Sequence, residues 1–242
     1  MSDEDLAASL AETAGRLLMV LRESGTLEGK ALGAAGDMTA NAYLMSALSS
    51  LRPLDAILSE ERIDDLSRLE SARVWIIDPL DGTREYAEGR DDWAVHVALS
   101  IDGHAAVGAV ALPAQGKLLR SDLPPPPVSR PERPRILVSR TRPPPECQQL
   151  AERLGAELVP MGSAGAKAMA VLLGQGDIYF HTGGQHQWDN AAPVAVALGA
   201  GMVATRADGS PCRYNGRDTL LPDLLICPPD YVERVREALG QI

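Results

Sequence analysis

Carboxylates are the residues of this chain whose spacing suggests chemistry. Asp78-Pro79-Leu80-Asp81-Gly82-Thr83 follows Val74-Trp75-Ile76-Ile77, a β-branched and aromatic run that reads as a buried strand. Asp78-Pro79 ends that run, because proline removes a backbone donor and fixes φ, so both aspartates are expected at a strand end. The Pro-Leu turn brings Asp78 and Asp81 together, and Gly82 permits a close backbone approach before Thr83 opens the next segment. Two carboxylates followed by free N–H groups at a helix start can hold hard cations and a phosphate side by side. Taken alone, the stretch would also serve as turn punctuation, since Asp-Gly is a common turn.

Other acidic residues recur in similar places. Glu60-Glu61 follows the short apolar strand 55–58. Such a pair is usually solvated surface charge, but neighbouring strand ends would bring it beside Asp78 and Asp81. Asp37 comes after a glycine-rich, loop-like stretch, 25–36, and before a segment that turns helical through 51. It sits where an N-cap would, a role that stabilises a helix by roughly 1 kcal/mol without catalysis. Asp189, in Trp188-Asp189-Asn190-Ala191-Ala192, also heads a helix, and capping alone would account for it. Ser163 and Lys167 belong to a small-residue turn, 162–165, and the apolar helix after it. That lysine could snorkel to the surface, whereas the helix start beside it is a ready anion site. His96 lies mid-way along an alternating strand, 92–99, where a core or edge histidine is the better reading than a metal ligand.

The elements that must position these groups can be read in outline. Residues 6–22 carry apolar positions at helical spacing, and Gly103 turns one strand into the next, 105–112, with a further strand at 117–120. Residues 124–134, with four consecutive prolines at their start, can be neither helix nor central strand. They are read as a linker between an N-terminal α+β half, 1–123, carrying the acidic cradle, and a C-terminal α/β half, 135–242. In that second half strands are expected at 136–139, 158–159, 176–181, 202–205 and 224–227, helices at 146–154 and 229–239, and a flexible loop at 182–187. The fold class expected is α/β, with α+β layering.

Composition narrows the partners. A chain of 242 residues can bury a sizeable core, and its formal charge of −10 argues against nucleic acid or an anionic membrane as the main partner. An anionic small molecule is still admitted, because bound cations invert the local potential. No apolar run approaches a membrane span, and the acidic start Met1-Ser2-Asp3-Glu4-Asp5 is unlike a secretory signal, so a cytoplasmic protein is expected. Cys147, Cys212 and Cys227 lack metal-ligand spacing and read as buried free thiols.

In order along the chain, Asp37, Ser59-Glu60-Glu61, Asp78-Pro79-Leu80-Asp81-Gly82-Thr83 and Trp188-Asp189-Asn190-Ala191-Ala192 resemble the scattered motif of the inositol monophosphatase superfamily. Those proteins are magnesium-dependent, lithium-sensitive phosphomonoesterases, and the likeness spans nearly the whole chain. Within the superfamily, Trp75 to Tyr86, Asp91 to His96 and Gly162 to Val171 look most similar to the CysQ type, which acts on 3′-phosphoadenosine 5′-phosphate. Two departures stand out. Family members that bind polyols place an acidic residue shortly before the Trp-Asp element, where this chain has His181-Thr182-Gly183-Gly184-Gln185, and the usual threonine before Asp37 is replaced by Ala34-Ala35-Gly36.

The resemblance implies an αβαβα sugar-phosphatase sandwich and two Mg²⁺ ions, with a third held loosely near Glu60. Glu60, Asp78 and the Leu80 carbonyl would serve one ion, and Asp78, Asp81 and Asp189 the other. Thr83, hydrogen-bonded to Asp37, would orient the attacking water, Glu60 would share in catalysis, and the N–H groups of Gly82 and Thr83 would receive phosphate oxygens. Ser163, Lys167 and the Ser139-Arg140 loop are candidates for nucleotide contacts. The substrate implied is an adenosine bisphosphate, possession of a 3′-phosphate marking it for hydrolysis in sulfur assimilation, with the sulfated form of the nucleotide as a further candidate. Inositol monophosphatase or fructose-1,6-bisphosphatase activity, and a silent Mg²⁺- or nucleotide-binding regulator, are the alternatives. Oligomeric state is left open, a homodimer included.

Overall fold

The computed structural model describes residues 1–240. Two five-stranded sheets and three helical layers alternate. The first sheet has the order β1-β2-β3-β4-β5 and comprises β1 (Ala56–Ser59), β2 (Arg73–Asp81), β3 (Ala94–Ile101), β4 (His104–Leu112) and β5 (Lys117–Arg120). Only β1 and β2 pair in parallel. The second sheet has the order β7-β6-β8-β10-β9, built from β6 (Arg135–Ser139), β7 (Glu157–Met161), β8 (Ile178–His186), β9 (Val203–Thr205) and β10 (Leu220–Cys227).

Helices α1 (Asp3–Glu23) and α2 (Gly29–Leu51) cover the outer face of the first sheet, while α5 (Ala164–Leu172) and α6 (Gln187–Gly199) lie between the sheets. The outer face of the second sheet carries α4 (Pro145–Leu154) and α7 (Val232–Leu239), and the short α3 (Thr83–Ala87) follows β2. This is the αβαβα sandwich. Strand β2 is apolar without alternation because both its faces are covered: Trp75 and Ile77 pack towards α1 and α2, Val74 and Ile76 towards α5 and α6.

Three local readings of the sequence are corrected. The glycine-rich stretch before Asp37 is helical, so α2 runs unbroken through Asp37, which is mid-helix and not a cap. The glycines serve close approach: a Cβ on Gly33 would sit 2.7 Å from Thr83 Cγ2, and one on Gly36 would sit 3.0 Å from both Leu80 Cδ2 and Tyr86 Cε1. They let α2 lie directly on the Asp78–Thr83 segment. Second, β2 does not stop at Asp78-Pro79. Its pairing with β3 shifts register between Asp78 and Asp81, an irregularity that accommodates a residue with no N–H to donate, and pairing resumes at Asp81↔Ala94.

Third, the expected loop at 182–187 belongs mostly to β8, because β10 runs alongside it, Leu220 opposite His186 and Asp223 opposite Thr182. Gly183 and Gly184, at φ 63° and 77°, fall beside a register shift in that pairing.

Arginines anchor the proline-rich segment between the sheets: Arg130 donates to the carbonyls of Gly176 and Val171 at 3.1 Å each, and Arg133 to that of Gly155 at 3.1 Å. Asp177, fully buried, accepts from Arg130 Nη1 at 3.1 Å, from Arg135 Nε at 3.0 Å and from the Arg135 backbone N–H at 2.9 Å.

Candidate active site

Parallel pairing of β1 with β2 sets Ser59 opposite Ile77, so Glu60, just past the end of β1, comes beside Asp78 within β2. Oxygens of Asp78, Asp81 and Asp189 all lie within 4.8 Å of one another, although Asp189 comes from α6, in the layer beyond the first sheet. Glu60 is exposed as a residue, yet its carboxylate is enclosed against Asp78 and near Asp189, Asp81 and Glu61. Across the cradle, Thr83 Oγ1 is 3.3 Å from Asp37 Oδ1 and 3.2 Å from the Leu80 carbonyl, so its single proton is shared between two acceptors. Gly82 turns the backbone there through φ 91°.

Burial, and after it the neighbouring carboxylates, hold most of these groups protonated well above their usual range. Asp37 is pushed up to about 6 by burial and by Glu61, against the hydrogen bond from Thr83. Glu60 is pushed to about 7 by burial and Asp189, and Asp189 to about 6 by burial and Asp81. Asp78, wholly buried, is raised by burial and then by Glu60 and Asp81. Asp81 behaves differently. Burial would raise it too, but His96, the Gly165 N–H and Lys167 outweigh burial and hold it below its usual value.

Asp81 is in fact surrounded by donors. Its Oδ2 accepts from the Gly165 N–H at 2.6 Å and lies 3.1 Å from His96 Nε2, while Oδ1 accepts from the Ala164 N–H at 3.2 Å. Asp189 Oδ2 accepts from the His186 N–H at 2.6 Å, so it is the third residue of a capping box and not the N-cap itself, which is His186. Ser163 does cap α5, its Oγ accepting from Ala166 N–H at 3.0 Å. Lys167 is buried and does not snorkel: its Nζ donates back to the carbonyls of Gly162 and Ser163, and it stands 5.4 Å over the Tyr179 ring. Burial lowers its ammonium to about 8 despite Asp81 and Glu85 nearby. Asp81, Gly82, Thr83, Ser163, Lys167 and Asp189 all line one cavity of about 290 Å³.

Read from the sequence, His96 has a core or edge role, and Arg142 is not singled out. His96 is wholly buried, bridging Asp81 and the Trp188 carbonyl, which its Nδ1 meets at 3.0 Å. It thereby ties the two elements that carry Asp81 and Asp189. Strand register sets His96 directly opposite Asp78. Arg140, a candidate nucleotide contact, is held in a fork by Glu85 and Glu88 at 2.8 Å each, and Arg142 lines the cavity instead.

Residues 5–241 match the model of the inositol monophosphatase family. The chain belongs to that family. It is 51% identical to the 3′-phosphoadenosine 5′-phosphate phosphatase of Mycobacterium leprae over 95% of this chain and 90% of that protein. It is 53% identical to the Mycobacterium tuberculosis protein of the same name, over 88% of this chain and 84% of that one. Among solved structures, CysQ from Bacteroides thetaiotaomicron superposes with a TM-score of 0.79 at 24% identity, covering 92% of this chain and 96% of that one. The acidic cluster gathers where the first sheet meets the inner helical layer. No helix among the described residues is long and apolar enough to cross a membrane.

Proposed function

We propose that this chain is a Mg²⁺-dependent phosphomonoesterase that removes the 3′-phosphate of 3′-phosphoadenosine 5′-phosphate, in sulfur assimilation. The observation that carries the chemistry is the convergence of Asp78, Asp81 and Asp189 within 4.8 Å, the last two lining a cavity with Gly82 and Thr83. The nucleotide is drawn from the relatives above 50% identity. Residence in the cytoplasm is part of the same reading and suits three buried free cysteines.

The donor set fits the ion. All the groups are hard oxygen donors, and three of them are held protonated largely by burial and by one another, a conflict that a divalent cation removes. Asp78, Asp81 and Asp189 would hold Mg²⁺, with Glu60 and the Leu80 carbonyl serving a second ion beside Asp78. When bound, Mg²⁺ supplies Lewis-acid charge for the attacking water and the phosphate oxygens. Thr83, fixed by Asp37, orients that water, and Asp37, raised to about 6, is suited to take its proton near neutrality. The N–H groups of Gly82 and Thr83 receive phosphate oxygens. Ser163, packed against Gly82, and Lys167 line the same cavity, Lys167 adding positive charge, and the absence of an acidic residue in 181–185 removes a partner for polyol hydroxyls.

Phosphate release from 3′-phosphoadenosine 5′-phosphate, inositol 1-phosphate and fructose 1,6-bisphosphate, with and without Mg²⁺, tests the reading. Strong Mg²⁺-dependent preference for the nucleotide is expected, with inhibition by lithium. Comparable rates on all three would replace it by a broad phosphatase, and no release from any by a silent binder.

A further inference from the structure

Two cavities share a wall at the mouth of the site. The one beside the carboxylates measures about 290 Å³, and a second of about 410 Å³ is bounded by Pro143, Pro144, Pro145 and Glu146. Ser139, Arg142, His181 and Gly184 line both. These four residues are therefore within reach of a ligand group in either cavity.

Arg142 is the charged group at that junction, and its guanidinium has no carboxylate or hydrogen-bond partner among the described residues. Only its backbone N–H is engaged, donating to Ser139 Oγ at 3.2 Å. The contrast with its neighbour is sharp, since Arg140 is clamped by Glu85 and Glu88. In a chain of net charge −10, a free guanidinium beside a cluster of carboxylates is a local inversion of the field, suited to a bidentate anion. His181 Nδ1 is enclosed beside the Gly183 backbone without a well-aligned hydrogen bond, which leaves it able to meet a ligand group. The positive charge of Arg142 reaches this ring.

We propose that the second cavity is an anion subsite in which Arg142 takes the non-reacting phosphate of a bisphosphorylated nucleoside, with His181 Nδ1 meeting the sugar between the two phosphates. The assignment rests on the phosphomonoesterase reading and gives it a source of selectivity: a substrate with one phosphate engages the carboxylate cavity alone. Arg84, which also lacks an ion pair, lines only the cavity of the carboxylates and stands next to Thr83, so it is placed for the reacting phosphate.

The experiment compares kcat/KM for 3′-phosphoadenosine 5′-phosphate and for adenosine 3′-monophosphate in the wild type, Arg142→Ala, Arg142→Lys and Arg84→Ala. The wild type is expected to favour the bisphosphate. In Arg142→Ala that preference, taken as the ratio of the two kcat/KM values, falls about 10–100-fold through KM, the range for losing a hydrogen bond to a charged group. Arg142→Lys keeps part of it. A purely structural role would lower both substrates together and leave the ratio standing, which overturns the proposal. So does a ratio that collapses in Arg84→Ala and survives in Arg142→Ala. A wild type that hydrolyses both nucleotides equally overturns the subsite while sparing the phosphatase, whereas a wild type that hydrolyses neither removes the phosphatase reading itself.

Discussion

Asp78 and Asp81 lie three positions apart on one strand, both buried, and the fold treats them in opposite ways. Around Asp81 the protein supplies two backbone N–H groups from the start of α5 and the ring of His96, enough to keep the carboxylate ionised in spite of burial. Around Asp78 it supplies one N–H, that of Leu80 at 3.1 Å, and otherwise more carboxylates. One side of the site is organised by the protein alone. The other side is electrostatically incomplete, and what would complete it is a cation. A carboxylate can thus be structural and a ligand at once, or a ligand only, and the donors around it tell which.

Replacing each in turn should separate the two. Asp78→Asn and Asp81→Asn are both expected to lower kcat by at least about 10³-fold. In chelator, however, their stabilities part. Asp78→Asn relieves a crowded negative site and should unfold at the same denaturant concentration as the wild type or higher. Asp81→Asn turns an amide donor towards N–H groups and strands His96, and should cost about 3–5 kcal/mol, as expected on breaking a buried ion pair. Equal melts for the two variants would erase the distinction.

A smaller effect is expected at His96, which touches no substrate in this scheme and acts by holding Asp81. His96→Leu should weaken Mg²⁺ binding, measured by calorimetry, about 10–100-fold, with a smaller change in kcat at saturating Mg²⁺. His96→Asn, which keeps a side-chain donor, should recover part of the affinity. Gly165 belongs to the same device, because a Cβ there would collide with His96 Nε2. If metal affinity does not move, His96 is only a packed core residue.

The mildest probe is pH. Asp37 and Asp189, raised from 3.8 to about 6, and Glu60, raised from 4.5 to about 7, keep protons in the folded chain that the unfolded chain has already released. The folded state therefore binds more protons between about pH 4 and 7, and metal-free stability should fall as pH rises through that window. His96, raised from 6.5 by Asp81 and Trp188 in spite of burial, carries the decline further up. His181, lowered by burial and Lys167, opposes it near 6.5, and the depressed Asp81 and Asp92 act with opposite sign only below about 4. Mg²⁺ requires the deprotonated carboxylates, so saturating Mg²⁺ should reverse the slope. Thermal melts across this range with chelator and with Mg²⁺ decide it, and a stability that climbs with pH in chelator contradicts the scheme.

Much of this was legible in the chain because several informative residues stand close together in sequence or directly after a strand. Asp78 to Thr83 is contiguous, and Glu60 follows a run of β1 that had to pair beside β2. What escaped depended on contacts across elements. Glycines before Asp37 looked like a loop because helix propensity disfavours them, and only the closeness of α2 to Thr83 shows why they are there. Residues 182–186 looked flexible because two glycines interrupt them, yet β10 supplies the ladder. His96 was given a core role, and a core role is half correct: nothing in its own strand reveals that Asp81 lies against it. Likewise, one loop holds Arg140 and Arg142, and sequence cannot say which of them carboxylates will occupy.

The reach of the site along the chain, from Asp37 on α2 to Asp189 on α6, sets an order on its making. A chain leaves the ribosome from its N-terminus at about 5–20 residues per second, so on the order of ten seconds separates those two residues. Asp37, Glu60, Asp78 and Asp81 emerge early in that interval, whereas the N–H groups of Ala164 and Gly165 that hold Asp81 follow it by 83 and 84 residues. The acidic cradle is therefore among the last parts of the molecule to exist, and a newborn chain has no centre at which to hold a cation until nearly four-fifths of it has been written.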